Sequence, residues 1–180
     1  MRTELSNEFV KIRRYYSGDI PLLFEAVREA SQEVSLWLDW CHPGYSIEEA
    51  TSWVLNCDET WGNGTEHNFA IFDHDANFLG GVGLNQISCI HQFANLGYWM
   101  RSSRIGNGFA TAATLLAARF GFEELNLARV EIVVTVDNKA SQRVAEKSGA
   151  KREGILRKRL VIHGCLHNAV MYSLVAEDLV

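Results

Sequence analysis

The 180-residue sequence predicts one mixed α/β domain, with an antiparallel N-terminal part and a strand–helix–strand centre. Two observations carry this reading. Hydrophobic periodicity is helical early in the chain and changes to a period of two from residue 68. An Ala- and Leu-rich helical stretch (110–126) then leads into a valine-rich strand, 128–136, apolar enough to be central in a sheet. The chain has no internal repeat, low-complexity tract or linker, and its length suits one domain with a real core.

Taken in order, "EFVKIRRYY" (8–16) alternates and is rich in β-branched and aromatic residues, so it predicts a strand. Asp19 is placed to N-cap the helix "IPLLFEAVREASQEV", with Pro21 in the first turn, where its missing N–H costs little. Leu22, Leu23, Ala26, Val27 and Ala30 give that helix one apolar face. Ser46 and Glu49 form a capping box for a second helix, "IEEATSWVLNC", and "WGNGTE" reads as a loop. "NFAIFD", "NFLGGVGLNQIS" and "QFANLGYWMR" predict three strands of an antiparallel meander. Asp137 and Asn138 open a short helix, "KASQRVAEKSG", that Gly149 stops. Two strands around His163-Gly164 close the chain.

Composition narrows the function. A net charge of −5 argues against a protein whose main task is to grip a phosphate backbone, so no nucleic-acid partner is expected. It suits small cationic substrates or basic protein partners. "MRTELSNEF" has no apolar h-region and no run approaches membrane-spanning length, so a cytoplasmic protein without a membrane partner is expected. Cys41, Cys57, Cys89 and Cys165 are scattered and form no CxxC pair, the pattern of idle intracellular thiols. His163, Cys165 and His167 share a strand face but lack a fourth ligand, so a hairpin explains them and no metal is expected.

The segment "RIGNGFATAAT" (104–114) holds the most chemistry. Its glycine pair follows a strand and opens a helix. It is compatible with a plain turn, a dinucleotide loop or another phosphate cradle. The dinucleotide reading fits least, because Glu131 sits near the start of its strand and the preceding strands are antiparallel. A cradle is physically sound: helix N-terminal N–H groups attract an anion, and glycines let it come close.

"ANLGYWMRSSRIGNGFATAATLLAARFGF" and "VEIVVTVDNKASQRVAEKSGAKREGILR" together resemble the GNAT N-acetyltransferases, most closely the branch of ribosomal-protein N-terminal acetyltransferases RimL and RimJ. The resemblance runs from about residue 8 to the C-terminus. It implies a mixed, strongly twisted sheet of about seven strands flanked by about four helices. It also implies acetyl-CoA as cosubstrate and no metal. The pyrophosphate is assigned to Gly106, Asn107, Gly108, Phe109, Ala110 and Thr111, with Ile105 departing from the usual polar residue at the loop's start. The pantetheine arm is assigned to the strand of Tyr98, Trp99, Met100 and Arg101, and Asn138 is assigned to the pantetheine or the nearby backbone. The Tyr98 or Trp99 amide would polarise the thioester carbonyl.

The same resemblance puts Ser141 near the sulfur, as donor to the leaving thiolate, and has Trp37, Asp39 and Trp40 wall the acceptor site. The implied reaction is direct attack of a primary amine, the N-terminal α-amine of a ribosomal or other protein, on the acetyl carbonyl. Asn95 stands where related enzymes often carry a glutamate base, so Glu66 and His67, with His91 third, are the candidate bases. A small amine such as a polyamine or an antibiotic is the alternative acceptor, and a non-catalytic acyl-CoA sensor the alternative outside the enzymes. A homodimer is compatible with the sequence.

Overall fold

The computed structural model describes residues 1–179. Twelve elements follow in the order β1 (Glu4–Ser6), β2 (Lys11–Arg14), α1 (Ile20–Val34), α2 (Ile47–Asn63), β3 (His67–Phe72), β4 (Phe78–Ser88), β5 (Phe93–Met100), α3 (Phe109–Leu125), β6 (Arg129–Thr135), α4 (Lys139–Lys147), β7 (Lys151–Ile162) and β8 (Cys165–Leu174). The eight strands form one sheet in the order β1-β2-β3-β4-β5-β6-β8-β7. Every neighbouring pair is antiparallel except β5 and β6.

The sheet exceeds the expected seven strands because a short strand, β1, precedes "EFVKIRRYY", which itself supplies the single strand β2. Asn7 Oδ1 accepts the N–H groups of Phe9 and Val10, turning the chain between β1 and β2. Such an Asx turn is a local side-chain competitor of the ladder. Asp19 precedes α1 but makes no side-chain cap. Its carboxylate instead takes both Arg13 guanidinium nitrogens at 2.7 Å and the Tyr16 N–H at 3.1 Å. A buried ion pair outcompetes a single capping bond. The Ser46–Glu49 capping box forms as expected. Helix α2 continues through Trp61 to Asn63 because Trp61 is buried, and Gly64 at φ 75° ends it. On α1, Leu23, Ala26, Val27 and Ala30 are buried, whereas Leu22 is exposed.

Strand alternation splits the core in two. His67, Phe69 and Ile71 of β3, with Leu84, Leu96 and Met100, face α3 and α4. Ala70, Phe72, Phe78 and Trp99 face α1 and α2. Helices therefore cover both faces of the sheet.

One parallel pair holds the centre. Strands β5 and β6 are in register over only three residues, Phe93↔Arg129, Ala94↔Val130 and Asn95↔Glu131. Beyond Asn95, β5 stays with β4 up to Met100↔Gly80, and β6 stays with β8 up to Thr135↔Ala169. The two central strands thus diverge, and the sheet opens a wedge.

The closed end of the wedge is braced across three strands. Arg129 bonds Glu131 at 2.8 Å and Glu153 twice at 2.6 Å, and the Ser173 hydroxyl donates to Glu153 at 2.7 Å. The Arg129 guanidinium, helped by Ser173, holds the Glu153 carboxyl down at about 2. A lowered native pKa stabilises fully above the ordinary carboxylate range and loses the effect as pH falls through the native value. Solvent attenuates the pair, because the Glu153 side chain is 41% exposed. Melting curves of wild type and Glu153→Gln should be separated by a constant gap above about pH 5 that shrinks as pH falls toward about 2.

Candidate active site

A cleft of about 1550 Å³ runs through the wedge. That exceeds the ~300–1,000 Å³ of an ordinary small-molecule site and suits two substrates. Its walls differ in charge. Arg104, Arg143 and Lys147 line the side near α3 and α4, whereas Glu33, Asp39, Glu48 and Glu49 line the side of α1 and α2. An anion is favoured at one mouth and a cation at the other.

At the basic end, Gly106 (φ 85°) and Gly108 (φ 82°) both adopt left-handed backbone. A Cβ at either would stand in open space, so the cradle is bare. Gly108 begins α3 with no side chain capping it. The N–H groups of the first turn, in line with the helix dipole, are therefore free to bind an anion. Gly106, Gly108, Phe109, Ala110 and Thr111 all line the cleft. Asn107 is not on the cleft wall, and its amide folds back onto the carbonyls of Arg104 and Ile105 at 3.3 Å. It shapes the loop from behind. Ile105 lines the cleft and is exposed.

Along the wedge, Leu96–Met100 of β5 and Ile132–Thr135 of β6 have no strand partner on their facing edges. An extended, amide-bearing ligand would complete the sheet there. Tyr98, Trp99 and Met100 border this edge, but Arg101 does not join them. Its N–H bonds the Leu79 carbonyl at 2.8 Å and its guanidinium pairs with Glu29 of α1. Thr135 lines the cleft from β6, and its buried hydroxyl has no partner in the protein. A bare anion cradle, two open strand edges and an orphaned hydroxyl fit the phosphates and amides of a CoA thioester.

Asn138 caps α4, its Oδ1 accepting the Ser141 N–H at 3.0 Å. This turns Ser141 into the cleft opposite Tyr98. The Tyr98 hydroxyl donates to the Ser141 carbonyl at 2.9 Å, and the two hydroxyl oxygens are 2.8 Å apart. With the Tyr98 proton given to that carbonyl, the 2.8 Å contact is the Ser141 hydroxyl donating to the phenol oxygen at the cleft wall. Burial, against an opposing bond from Ser141, pushes the Tyr98 phenol up to about 12, so it stays protonated.

At the acidic end, Trp37, Asp39 and Trp40 all reach the cleft. Trp40 packs edge-on against Trp99 at 5.6 Å. Asp39 accepts the His163 N–H at 2.9 Å, and the His163 ring donates to the Ser35 carbonyl at 2.7 Å. The α1–α2 loop is thereby tied to the tip of the β7–β8 hairpin.

Between the two ends lies a floor of which sequence reading singled out only Asn95. Asn68, Gly83 and Gly97 pair across β3, β4 and β5, and Asn85 pairs with Asn95 one row further on. Gly97 has open space above it. The Asn95 amide donates to Asn85 Oδ1 at 2.9 Å. The signal was in the sequence: glycines at alternate strand positions, Gly81 and Gly83, bare one face of β4.

The candidate bases do not converge on this floor. His67 is one residue from Asn68 and so points to the other face of the sheet. There it is 1% exposed between Trp61 and Phe120, and burial lowers its pKa. The structure removes it from the candidates. His91 is exposed in the β4–β5 turn, off the cleft wall. Glu66 is also off the wall, and its carboxylate accepts from the Asn68 amide at 3.0 Å. Among the described residues no cluster of His, Cys, Asp or Glu is arranged to hold a metal, and no helix is long and apolar enough to cross a membrane.

Known proteins share this architecture. The model of the "Acetyltransferase (GNAT) domain" family matches residues 10–151. YdaF of Bacillus subtilis (strain 168), provisionally named a ribosomal N-acetyltransferase, is 29% identical over 178 residues, covering 96% of this chain and 94% of that one. The ribosomal-protein-serine acetyltransferase of Escherichia coli (strain K12) is 27% identical over 172 residues, 96% of each. RimL, a ribosomal-protein α-N-acetyltransferase solved with coenzyme A, superposes with a TM-score of 0.87 at 23% identity, covering 96% of this chain and 97% of that one. With its wedge between parallel strands, its bare helix N-terminus and this family match over most of its length, the chain belongs to the GNAT acetyltransferases, a family of acetyl-CoA-dependent acyltransferases.

Proposed function

We propose that this enzyme acetylates the N-terminal α-amine of a protein, a ribosomal protein being the favoured class, by direct attack in a ternary complex with acetyl-CoA. The observation that carries the choice of amine is the floor around Gly97. Its polar side chains, Asn68, Asn85 and Asn95, are neutral carboxamides. Such a floor accepts hydrogen bonds but takes up no proton at neutral pH. The amine must therefore arrive largely neutral by its own ionisation. At pH 7 an α-amine of pKa about 7.8 is about 14% neutral, whereas a lysine-like amine of about 10.4 is about 0.04% neutral. The relatives named for ribosomal proteins support the same acceptor class.

Acetyl-CoA supplies an activated acyl group. The amine lone pair forms the new C–N bond, the C–S bond breaks, and a proton leaves the nitrogen as one is taken up by sulfur. The protein's part is mostly positional. Gly106, Gly108 and the α3 N-terminus hold phosphate, with Arg104 and Arg143 adding positive charge. The open β5 edge at Tyr98 and Trp99 aligns the acyl arm, and its backbone amide polarises the carbonyl. Ser141, backed by Tyr98, protonates the departing sulfur. Asn138 keeps Ser141 in place through the helix cap.

A polyamine acceptor is a second reading, because Asp39, Glu48 and Glu49 make the acceptor mouth acidic. Thiol release with acetyl-CoA decides between them. Peptides matching ribosomal N-termini should release CoA, with kcat/KM rising to a plateau near about pH 8, the α-amine's own range. Release with spermidine but not with peptides would overturn the α-amine reading. In the same assay Ser141→Ala should lower kcat about 10²-fold with little change in either KM. Gly108→Trp forces a side chain into left-handed backbone, at about 1–2 kcal/mol, and fills the cradle. Calorimetric titration should show its acetyl-CoA affinity reduced at least about tenfold.

A further inference from the structure

Asn68 is a buried polar side chain in an apolar neighbourhood, 7% exposed, and it lines the cleft. Its amide nitrogen donates to Glu66 Oε2 at 3.0 Å. A carboxylate only accepts, so this contact dictates which way round the carboxamide lies: NH2 toward Glu66, carbonyl oxygen away. That oxygen lies directly over Gly83. A Cβ built on Gly83 would meet Asn68 Oδ1 at 2.1 Å, so Gly83 is the vacancy that lets the carboxamide lie flat across β4. Gly83 pairs with Gly97 on β5, about 4.8 Å away, where space is open and the wedge begins. Asn68 Oδ1 is thus aimed from β3 at the place where amine and thioester must meet. Behind it, burial and the Glu66 carboxylate, against an opposing bond from Asn68, push the Cys57 thiol up to about 12, so Cys57 stays a neutral thiol.

Resting on the α-amine reading above, we propose that Asn68 is the acceptor anchor: its Oδ1 accepts a hydrogen bond from the attacking primary amine above Gly97, and Glu66 is a positioning residue that locks the Asn68 carboxamide in the accepting orientation. Asn95 borders the same spot from the next row of β5, and its NH2 is already given to Asn85. Its carbonyl oxygen is left as the second acceptor. Two carbonyl oxygens suit a group with two hydrogens to donate, as a primary amine has, and they disfavour an incoming carboxylate oxygen. Glu66 then has a task other than that of a general base.

Steady-state kinetics with acetyl-CoA and an N-terminal peptide separate these roles. Asn68→Ala removes the acceptor and should raise the peptide KM about tenfold, the equivalent of one hydrogen bond, while the acetyl-CoA KM stays within twofold. Glu66→Gln keeps shape but not polarity. Glutamine can donate as well as accept, so the Asn68 amide loses its fixed orientation. The peptide KM should rise several-fold, with kcat within about threefold and the pH profile unchanged. Melting temperature and acetyl-CoA KM report on folding. A Glu66→Gln enzyme whose kcat falls about 10²-fold with an altered pH profile and unchanged peptide KM would overturn the proposal and make Glu66 the base. An Asn68→Ala enzyme with unchanged peptide KM would overturn it too, while leaving the α-amine reading standing. Wild-type enzyme that acetylates no peptide would instead overturn the α-amine reading, and this inference with it.

Discussion

The divergence of β5 and β6 after Asn95 is the constraint on which the rest of the molecule depends. Each central strand has an outer antiparallel partner that holds it to its full length, β4 for β5 and β8 for β6. Twist rotates neighbouring strands against one another. Strands anchored on opposite sides can stay together over only a few residues. At the end where they do, the Arg129–Glu131–Glu153 brace fixes β6 to β7. What opens beyond it is an unpaired pair of backbone edges, which a buried sheet does not leave without a ligand to satisfy them.

The layers on either side turn this wedge into a site for two substrates. Helix α3 starts at the end of β5, so its bare N-terminus and the left-handed glycines before it stand at the wedge mouth. Helix α4 brings Ser141 to within 2.8 Å of Tyr98 on the diverging strand. Opposite them, the α1–α2 loop and the β7–β8 hairpin, tied through Asp39 and His163, wall the far end of the cleft.

Much of the fold was legible because its signals are local. The period change at residue 68, the Ser46–Glu49 box, the helix opened at Asn138 and the hairpin at His163-Gly164 each depend on a few adjacent residues. Local signals also explain the misreadings. Asp19 has the chemistry of an N-cap, but Arg13 lies six residues earlier and the folded chain brings the two together. The loop reading of "WGNGTE" failed because the burial of Trp61 against Phe69 and Phe120 carries α2 past two residues of poor helix propensity.

By itself the sequence determined the glycine pair, the uncapped start of α3 and the Asn138 cap, because backbone conformation and helix termini are written in contiguous residues. Only the tertiary structure decided which side chains share the floor of the cleft. His67 and Asn68 are neighbours in the chain, yet strand pleating sends one into the core and the other into the cleft. Asn68, Gly83 and Gly97 come from three strands and share one row only through cross-strand register. Glu66 accepts from the Asn68 carboxamide, a contact that only the folded chain displays. Register and face are properties of strands paired across the sheet, and no short stretch of sequence carries them.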